Sequence, residues 1–282
     1  MSEFQETKGD YMRSIAFTSF VGILLAVVTS EAQDIIVHVS SHVEYVITDS
    51  RGRRTGFDPV LDRSYSEINN SYGVSSIDSE DPNMEPPEPV NEFMSNDPVD
   101  GTYHLKLFGT KLAGYRLVTG ISRGPGDGKT FEFIGVIDSN GVQEYEFNYS
   151  SIPGVPFQAT KSTNGNILRQ DFENCYRLKL LGNKSVYKEF SNRISQIERR
   201  FGQGDSSKAY EELKRLGRQL KKVKEETEKH EQRKQKSDRF ITKEAYDILG
   251  EDITILESSF SSHWRHDKGG KRLKSKDDQR KD

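Results

Sequence analysis

Cysteine is nearly absent from this chain of 282 residues, which contains only Cys175. A single cysteine cannot form an internal disulfide, so the chain must be stabilised by burial of apolar surface rather than by a disulfide framework. Hydrophobic residues make up 33% of the sequence and charged residues 30%. This polar composition predicts that part of the chain is exposed helix or disordered tail.

Long apolar runs are also missing. The mostly apolar run at residues 15–28 is too short to span a bilayer comfortably, so no stable transmembrane span is expected. Arg13 precedes the run and small residues around Ala32 follow it. Together they predict a secretory signal peptide over residues 12–32, with Met12 as the natural start. A buried core helix or a short anchor is the alternative interpretation.

Sequence motifs of familiar catalytic chemistry are missing as well. The chain contains no G-x-S-x-G turn for a hydrolase nucleophile, and the glycines at 124–128 have the wrong spacing for a phosphate-binding loop. His38 and His42 lie between predicted strands with no third metal ligand nearby, and Cys175 is predicted to be a core residue of a helix. We therefore predict no catalytic residue, no cofactor, no metal site and a non-enzymatic function.

Charge is unevenly distributed, although the net charge is only −3. Residues 1–160 contain 11 basic and 23 acidic side chains, whereas residues 161–282 contain 30 basic and 21 acidic ones. An acidic part joined to a basic part predicts two domains with separate surfaces. The basic part could meet an anionic polymer or a membrane surface. Nucleic acid is not an expected partner, because the basic tail carries almost no aromatic residues.

Residues 33–156 carry the pattern of an antiparallel β-sandwich. Apolar and polar residues alternate between Tyr103 and Leu107, and turn residues recur at short intervals. The turn at 139–141 predicts a hairpin between its flanking strands. The acidic, proline-rich segment at 78–97 is predicted to be a long surface loop. A calcium site in this loop is an alternative, although its carboxylate spacing matches no EF-hand.

A basic turn follows the second predicted strand. Residues 46–59 read VITDSRGRRTGFDP. This phrase resembles an accessory β-sandwich module found near the ends of large secreted bacterial proteins, which reads V-T-D-x-x-G-R-R-T-G-F-D-P. Ser50 stands where that module typically has proline. The resemblance implies a location outside the cell and a role in spacing, packing or binding.

The arginines of this turn are the candidate ligand contacts of the chain. Arg51, Arg53 and Arg54 could hold a carboxylate or an acidic glycan through paired hydrogen bonds. The alternative is that they pair with acidic side chains of their own domain. The sequence leaves both interpretations open.

A helical domain is predicted at 170–260, after a polar linker at 157–169 and before a disordered basic tail at 261–282. Helices are expected at 171–181, at 185–201, from the N-cap Asp205 and from the N-cap Thr242. Their apolar stripes include Val186, Phe190, Ile194, Leu213, Leu216, Leu220, Ala245, Ile248 and Leu249. These stripes predict a bundle of three or four helices, so the fold class is multidomain, all-β followed by all-α.

This helical part resembles the small FIMAH domain of secreted bacterial proteins. The resemblance rests on LGNKSVY at 181–187, Gly204-Asp205 and ITKEA at 241–245. It carries over no catalytic residue. The segment at 221–239 is longer and more charged than the usual connection of that domain. It is either a solvated helix with weak i,i+4 ion pairs or a docking surface for a partner.

The sequence therefore predicts a secreted accessory module that binds or scaffolds at the cell surface or envelope. Its expected partner is a cell-surface polysaccharide or an envelope protein. The alternative is a fragment or accessory part of an extracellular enzyme acting on polysaccharide. Such an enzyme would need two carboxylates, for which Glu80, Glu85 and Glu88 are the candidates.

Overall fold

The computed structural model describes residues 33–40, 42–76, 90–123, 126–233 and 237–272. Within these ranges the chain forms two antiparallel sheets followed by four helices, which confirms the predicted mixture of β and α structure. None of the helices in the described ranges is long and apolar enough to cross a membrane. The predicted signal peptide at 12–32 lies outside the described residues.

Eleven strands are found in the described part of the chain. They are β1 Asp34–Ser40, β2 Val43–Thr48, β3 Arg54–Asp58, β4 Arg63–Ser66, β5 Ser71–Ser76, β6 Val90–Asn96, β7 Gly101–Gly109, β8 Ala113–Ser122, β9 Gly128–Ile137, β10 Val142–Tyr149 and β11 Gln158–Ser162. The five-stranded sheet has the order β5-β6-β1-β8-β9. The six-stranded sheet has the order β11-β10-β7-β2-β3-β4.

Both sheets contribute to one apolar core. Alternate residues along the strands point into it, as the period of two in a strand requires. The predicted alternation in β7 is confirmed, since Tyr103, Leu105 and Leu107 are fully buried while His104 and Lys106 are exposed. The rings of Tyr103 and Phe147 stack at 5.3 Å in this core. Burial of these side chains is the main stabilising contribution to the β-rich part.

The predicted hairpin at 139–141 is wrong. The turn forms, with the backbone amide of Gly141 bonded to the carbonyl of Asp138 at 2.9 Å. However, β9 pairs with β8, and β10 pairs with β7 and β11, so the turn carries the chain from one sheet to the other. Turn residues specify a local reversal of the chain and do not specify which strands pair.

The predicted loop at 78–97 is wrong in its second part. Residues Val90–Asn96 form β6, which lies between β5 and β1, and residues 77–89 lie outside the described part. The strand alternates in burial, yet its inward residues include the polar Asn91 and Ser95 beside Phe93. Asn91 is tolerated there because its side-chain amide donates to the carbonyl of Val43 at 2.5 Å. Because polar residues occupy inward positions of β6, its sequence lacks the alternation of apolar and polar residues that predicts a strand.

Four helices follow in the described part of the chain. They are α1 Gly165–Arg177, α2 Lys184–Gly202, α3 Ser206–Gln232 and α4 Lys243–Arg272. The predicted caps Asp205 and Thr242 are confirmed, since each side-chain oxygen accepts a backbone N–H three residues later, at 3.2 Å in both cases. The apolar stripes of α2, α3 and α4 share one buried core as predicted, except that Phe201, expected to continue the stripe of α2, is 37% exposed.

The first helix and the linker before it differ from the prediction. Residues Gln158–Ser162 form β11 at the edge of the six-stranded sheet, and α1 begins at Gly165 instead of 171. Asn164 starts the helix early, because its side chain accepts the backbone N–H groups of Asn166 and Ile167. The segment predicted as a linker at 157–169 therefore consists largely of a paired strand and a helix start.

The helices pack on the five-stranded sheet. Val136 of β9 is fully buried among the apolar residues of the helices, and Ile134 of the same strand packs beside it. Asp138 after β9 bonds to Gln170 and Arg177 of α1. The outer face of β9 thus joins the sheets to the helices.

The prediction of a disordered tail at 261–282 is wrong for residues 261–272, which belong to α4. The backbone of α4 continues to Arg272, and residues 273–282 lie outside the described part. A polar composition with no apolar stripe gave no sign of helix here. Helix propagation adds one backbone hydrogen bond per residue and does not itself require an apolar face.

Candidate functional sites

The basic turn between β2 and β3 is organised by one buried carboxylate. Asp49 Oδ1 accepts the backbone N–H groups of Arg51 and Arg53, both at 2.9 Å. Its Oδ2 accepts Nε and Nη2 of Arg53, both at 2.7 Å. The Asp49 side chain is fully buried, whereas the Arg53 side chain is 27% exposed. These four contacts fix the turn and hold Arg53 in a bidentate ion pair.

Gly52 of this turn and Gly56 of β3 meet conformational requirements that other residues would not. Gly52 has φ +79°, in the left-handed region that residues with a Cβ rarely adopt. Gly56 has φ +120°, and a Cβ there would overlap the carbonyl oxygen of Tyr45 on the neighbouring strand. The R-G-R-R-T-G spacing therefore has a structural cause.

The three candidate arginines have different environments. Arg53 is paired with Asp49, and Arg54 lies 4.0 Å over the ring of Tyr65 while its backbone N–H bonds to Glu67 at 3.0 Å. The contacts of Arg53 and Arg54 therefore agree with the interpretation that these arginines pair with side chains of their own domain. Arg51 is exposed, and no ion pair within the described ranges involves it. Arg51 is therefore the first candidate for a ligand contact, and the partly exposed Arg53 lines the same cleft while paired with Asp49.

Arg51 lines a polar cleft of about 590 Å³ at one end of the two sheets. This volume lies in the range of about 300–1,000 Å³ that is typical of small-molecule sites. Other residues lining the cleft include Gln33, Asn69, Asn70, Asp97 and Ser151. Amide, hydroxyl, carboxylate and guanidinium groups of this kind can form hydrogen bonds with the hydroxyl and carboxylate groups of a sugar.

Asp100 holds one wall of the cleft in place. Its carboxylate accepts the backbone N–H of Ser151 at 2.7 Å and the hydroxyl of Ser151 at 3.2 Å. Its carbonyl accepts the hydroxyl of Ser50 at 2.7 Å, which ties this wall to the basic turn. Asp100 thus has a structural role, and the cleft rim is bonded across three loops.

Most of the cleft could not be found in the sequence. Arg51 can be found in the sequence because it belongs to the phrase at residues 46–59. Asn69, Asn70 and Asp97 come from other turns, which are distant in sequence and have no motif of their own. Only the pairing order of the strands brings these turns to the same end of the sheets.

The other residues considered for chemistry are not brought together. Among the described residues, no group of three or more His, Cys, Asp or Glu side chains is placed to hold a metal ion. His38 lies on β1, where Glu92 and Arg116 act on its charge, and His42 lies before β2. Cys175 is fully buried in the helical core, and burial raises the pKa of its thiol. Glu80, Glu85 and Glu88 lie outside the described residues.

The pKa of His38 predicts a small dependence of stability on pH. Burial lowers this pKa, with Glu92 raising it and Arg116 lowering it further. The unfolded chain therefore binds a proton more readily than the folded one just below about pH 6.5, so this contribution to stability is lost as the pH falls through that value.

His38→Gln removes this contribution. In urea unfolding at about pH 5 and about pH 8, we expect the variant to be less destabilised relative to the native chain at the lower pH. The difference between the two proteins isolates His38 from other groups that titrate in this range. A difference that is equal at both pH values would contradict the assignment.

A second notable feature is a buried charge cluster, formed by Lys161 of β11, Asp171 of α1 and Asp252 of α4. Lys161 Nζ lies 2.7 Å from Asp171 Oδ2 and 2.7 Å from Asp252 Oδ1. All three side chains are fully inaccessible to solvent. The cluster therefore connects the last strand to the first and last helices.

Polar neighbours complete part of this cluster. Gln143 Nε2 donates to Asp171 Oδ1 at 2.8 Å, and the Thr163 hydroxyl donates to Asp252 Oδ1 at 3.3 Å. Asp252 Oδ2 is buried and has no hydrogen-bond partner among the described residues. The buried hydroxyls of Tyr115 and Tyr145, 2.6 Å apart, join the two sheets nearby.

Burial changes the protonation of the cluster. Burial raises the pKa of Asp171 well above its usual range, and the Asp252 carboxylate raises it further against the lowering effect of Lys161. Burial alone would lower the pKa of Lys161, but Asp171 and Asp252 outweigh this effect and raise it. One ammonium, one carboxylate and one neutral carboxylic acid would leave the cluster without net charge, which is the least costly state for a buried site.

No family model, no curated protein and no solved structure matches this chain.

Proposed function

We propose that this chain is a secreted, non-enzymatic accessory module that binds or scaffolds at the cell surface or envelope. Its ligand would be a surface polysaccharide, held in the cleft beside Arg51, or an envelope protein docked on the same rim. The observation that carries the proposal is the exposed Arg51 in a polar cleft whose walls are fixed by Asp49 and Asp100. A preorganised rim of this kind reduces the entropy that is lost on binding.

The proposed architecture is a β-sandwich formed by the two sheets, followed by a FIMAH-like helical bundle. The shared apolar core of the sheets and the separate core of the four helices support it. The resemblance of residues 46–59 and of the helical part to accessory modules of secreted bacterial proteins supports an extracellular location. The contacts of β9 and β11 with α1 and α4 favour a scaffold in which both parts keep a fixed orientation.

The proposal can be tested by binding of the purified chain to cell-wall fractions and to a glycan array at low and high salt. Binding that weakens strongly with salt would indicate an anionic polymer held by charge. Binding that is insensitive to salt would indicate neutral sugar groups held by hydrogen bonds in the cleft. Absence of binding to every fraction and glycan would contradict the surface-binding proposal.

Arg51→Ala should weaken binding to a retained glycan about 10- to 100-fold, because a hydrogen bond to a charged group contributes about 1.5–3 kcal/mol. The affinity can be measured by titration calorimetry with the glycan found on the array. Arg199→Ala is the matched control, since Arg199 is also exposed but lies on α2. Equal affinity of the Arg51 variant and the native chain would place the ligand elsewhere.

The same retained glycan tests the enzyme alternative. After incubation with the native chain, the length of the glycan, measured by chromatography, should be unchanged. Shortening of the glycan by the purified chain would overturn the non-enzymatic part of the proposal.

A further inference from the structure

The buried cluster contains the reactants of an amide bond in contact with one another. The amine of Lys161 lies 2.7 Å from Oδ2 of Asp171, and both side chains are fully removed from solvent. A second carboxyl group, that of Asp252, lies at the same distance from the amine. Salt bridges that are fully buried are costly unless every charge is compensated, and Asp252 Oδ2 has no hydrogen-bond partner in the part of the chain that the structure describes.

We propose that Lys161 and Asp171 join in an intramolecular isopeptide bond after the chain has folded. The new bond connects Lys161 Nζ to Asp171 Cγ and links β11 covalently to α1. The reaction needs no oxidant and no cofactor, because an amine and a carboxylic acid condense to an amide and one water molecule.

The polar neighbours assign a role to each carboxyl group. Gln143 donates to Asp171 Oδ1 at 2.8 Å, so this oxygen can take up negative charge as the amine attacks Cγ. Asp171 Oδ2, which faces the amine, is then the oxygen that leaves as water. Asp252 Oδ1 accepts a hydrogen bond from the amine at 2.7 Å and is placed to take its proton, while Oδ2 has no hydrogen-bond partner among the described residues. Asp171 is therefore the electrophile and Asp252 is the base.

The protons and electron pairs balance through Asp252. Asp252 first takes one proton from the Lys161 ammonium, and the free amine pair forms the bond to Cγ of the neutral Asp171 acid. The second N–H proton passes by way of Asp252 to the leaving hydroxyl, which departs as water when the C–O bond breaks. Asp252 ends protonated, so the charges of the ammonium and of its carboxylate are both removed.

Three features of the surroundings favour this condensation, against the raised pKa of Lys161, which disfavours loss of the ammonium proton. Burial raises the pKa of Asp171, which favours the electrophilic acid form of its carboxyl group over the carboxylate. Fixed contact between the reacting groups replaces a bimolecular encounter by an intramolecular one. The fully buried site excludes bulk water, which would otherwise reverse the reaction by hydrolysis.

The test is mass spectrometry of the full purified chain. We expect the measured mass of the native chain to be lower than the mass calculated from its amino-acid sequence by the mass of one water molecule. After trypsin digestion, the peptide that contains Lys161 should be uncleaved at this residue and joined to the peptide 170–177, which contains Asp171. Fragmentation of this branched peptide locates the bond.

Lys161→Arg provides the control, because it keeps the positive charge but its guanidinium group does not condense with Asp171 under these conditions. A loss of water that persists in this variant would come from another residue and would overturn the proposal. The digest of the native chain also decides the question if the variant fails to fold. Normal cleavage after Lys161 together with an unlinked peptide 170–177 would overturn the proposal, and a bond to Asp252 would overturn the choice of Asp171.

Discussion

Replacing Lys161 by methionine is expected to lower the free energy of unfolding by about 3–5 kcal/mol. The substitution keeps the length of the side chain but leaves the carboxyl groups of Asp171 and Asp252 buried with neither the Lys161 ammonium nor the amide bond proposed above. It also removes the connection between β11 and the helices. Urea denaturation followed by circular dichroism measures the loss.

Two variants test whether the loss comes from burial of the charges. Lys106→Met removes a lysine of the same sheet that is paired with Glu144, but both side chains are about half exposed, so we expect a loss of less than about 1 kcal/mol. Adding Asp171→Asn and Asp252→Asn to the methionine variant should restore part of the stability, because neutral amides tolerate burial better than carboxylates. Equal losses for Lys161→Met and Lys106→Met would show that the cluster contributes no more than a surface pair.

Replacing Asp49 by alanine is expected to lower the free energy of unfolding by about 3 kcal/mol and to reduce glycan binding at the same time. The substitution leaves two backbone N–H groups of the basic turn and the Arg53 guanidinium without their acceptor. The backbone that carries Arg51 then loses its fixed conformation. Denaturation and calorimetric titration of the same variant measure the two effects.

Asp58→Ala is a close control for the Asp49 variant. Asp58 Oδ1 also accepts two backbone N–H groups, those of Val60 and Leu61, but that turn is exposed and the described part contains no arginine pair at Asp58. We expect a loss of about 1 kcal/mol and unchanged binding. If the Asp49 variant lost stability but kept full affinity, the turn would be structural and the ligand would not depend on Arg51.

The candidate cleft was only partly predictable from the sequence. The phrase at residues 46–59 contains Arg51, Arg53 and Arg54, but it does not distinguish Arg51, which has no ion pair among the described residues, from the two arginines that have partners there. That distinction depends on Asp49 and Glu67, whose contacts are set by the turn and by the β3–β4 pairing. The remaining cleft residues belong to turns that carry no signal of their own.

The buried cluster was not predictable at all. Lys161 lies in a polar segment whose composition predicts a linker. Asp171 and Asp252 lie in helices with many charged residues. Charged side chains are normally solvated, so a sequence pattern assigns them to the surface. Their burial follows only from the packing of β11 against two helices, one of them 91 residues away.

The sequence by itself determined the local structure that depends on neighbouring residues. Alternation in β7, the caps Asp205 and Thr242 and the apolar stripes of the helices all reflect the period of a strand or a helix, and all are found in the structure. Tertiary structure alone decided which sheet receives β9 and β10, where β6 inserts and which charges are buried. These outcomes depend on contacts between residues far apart in the chain, and their free energy appears only when distant surfaces are removed from water together.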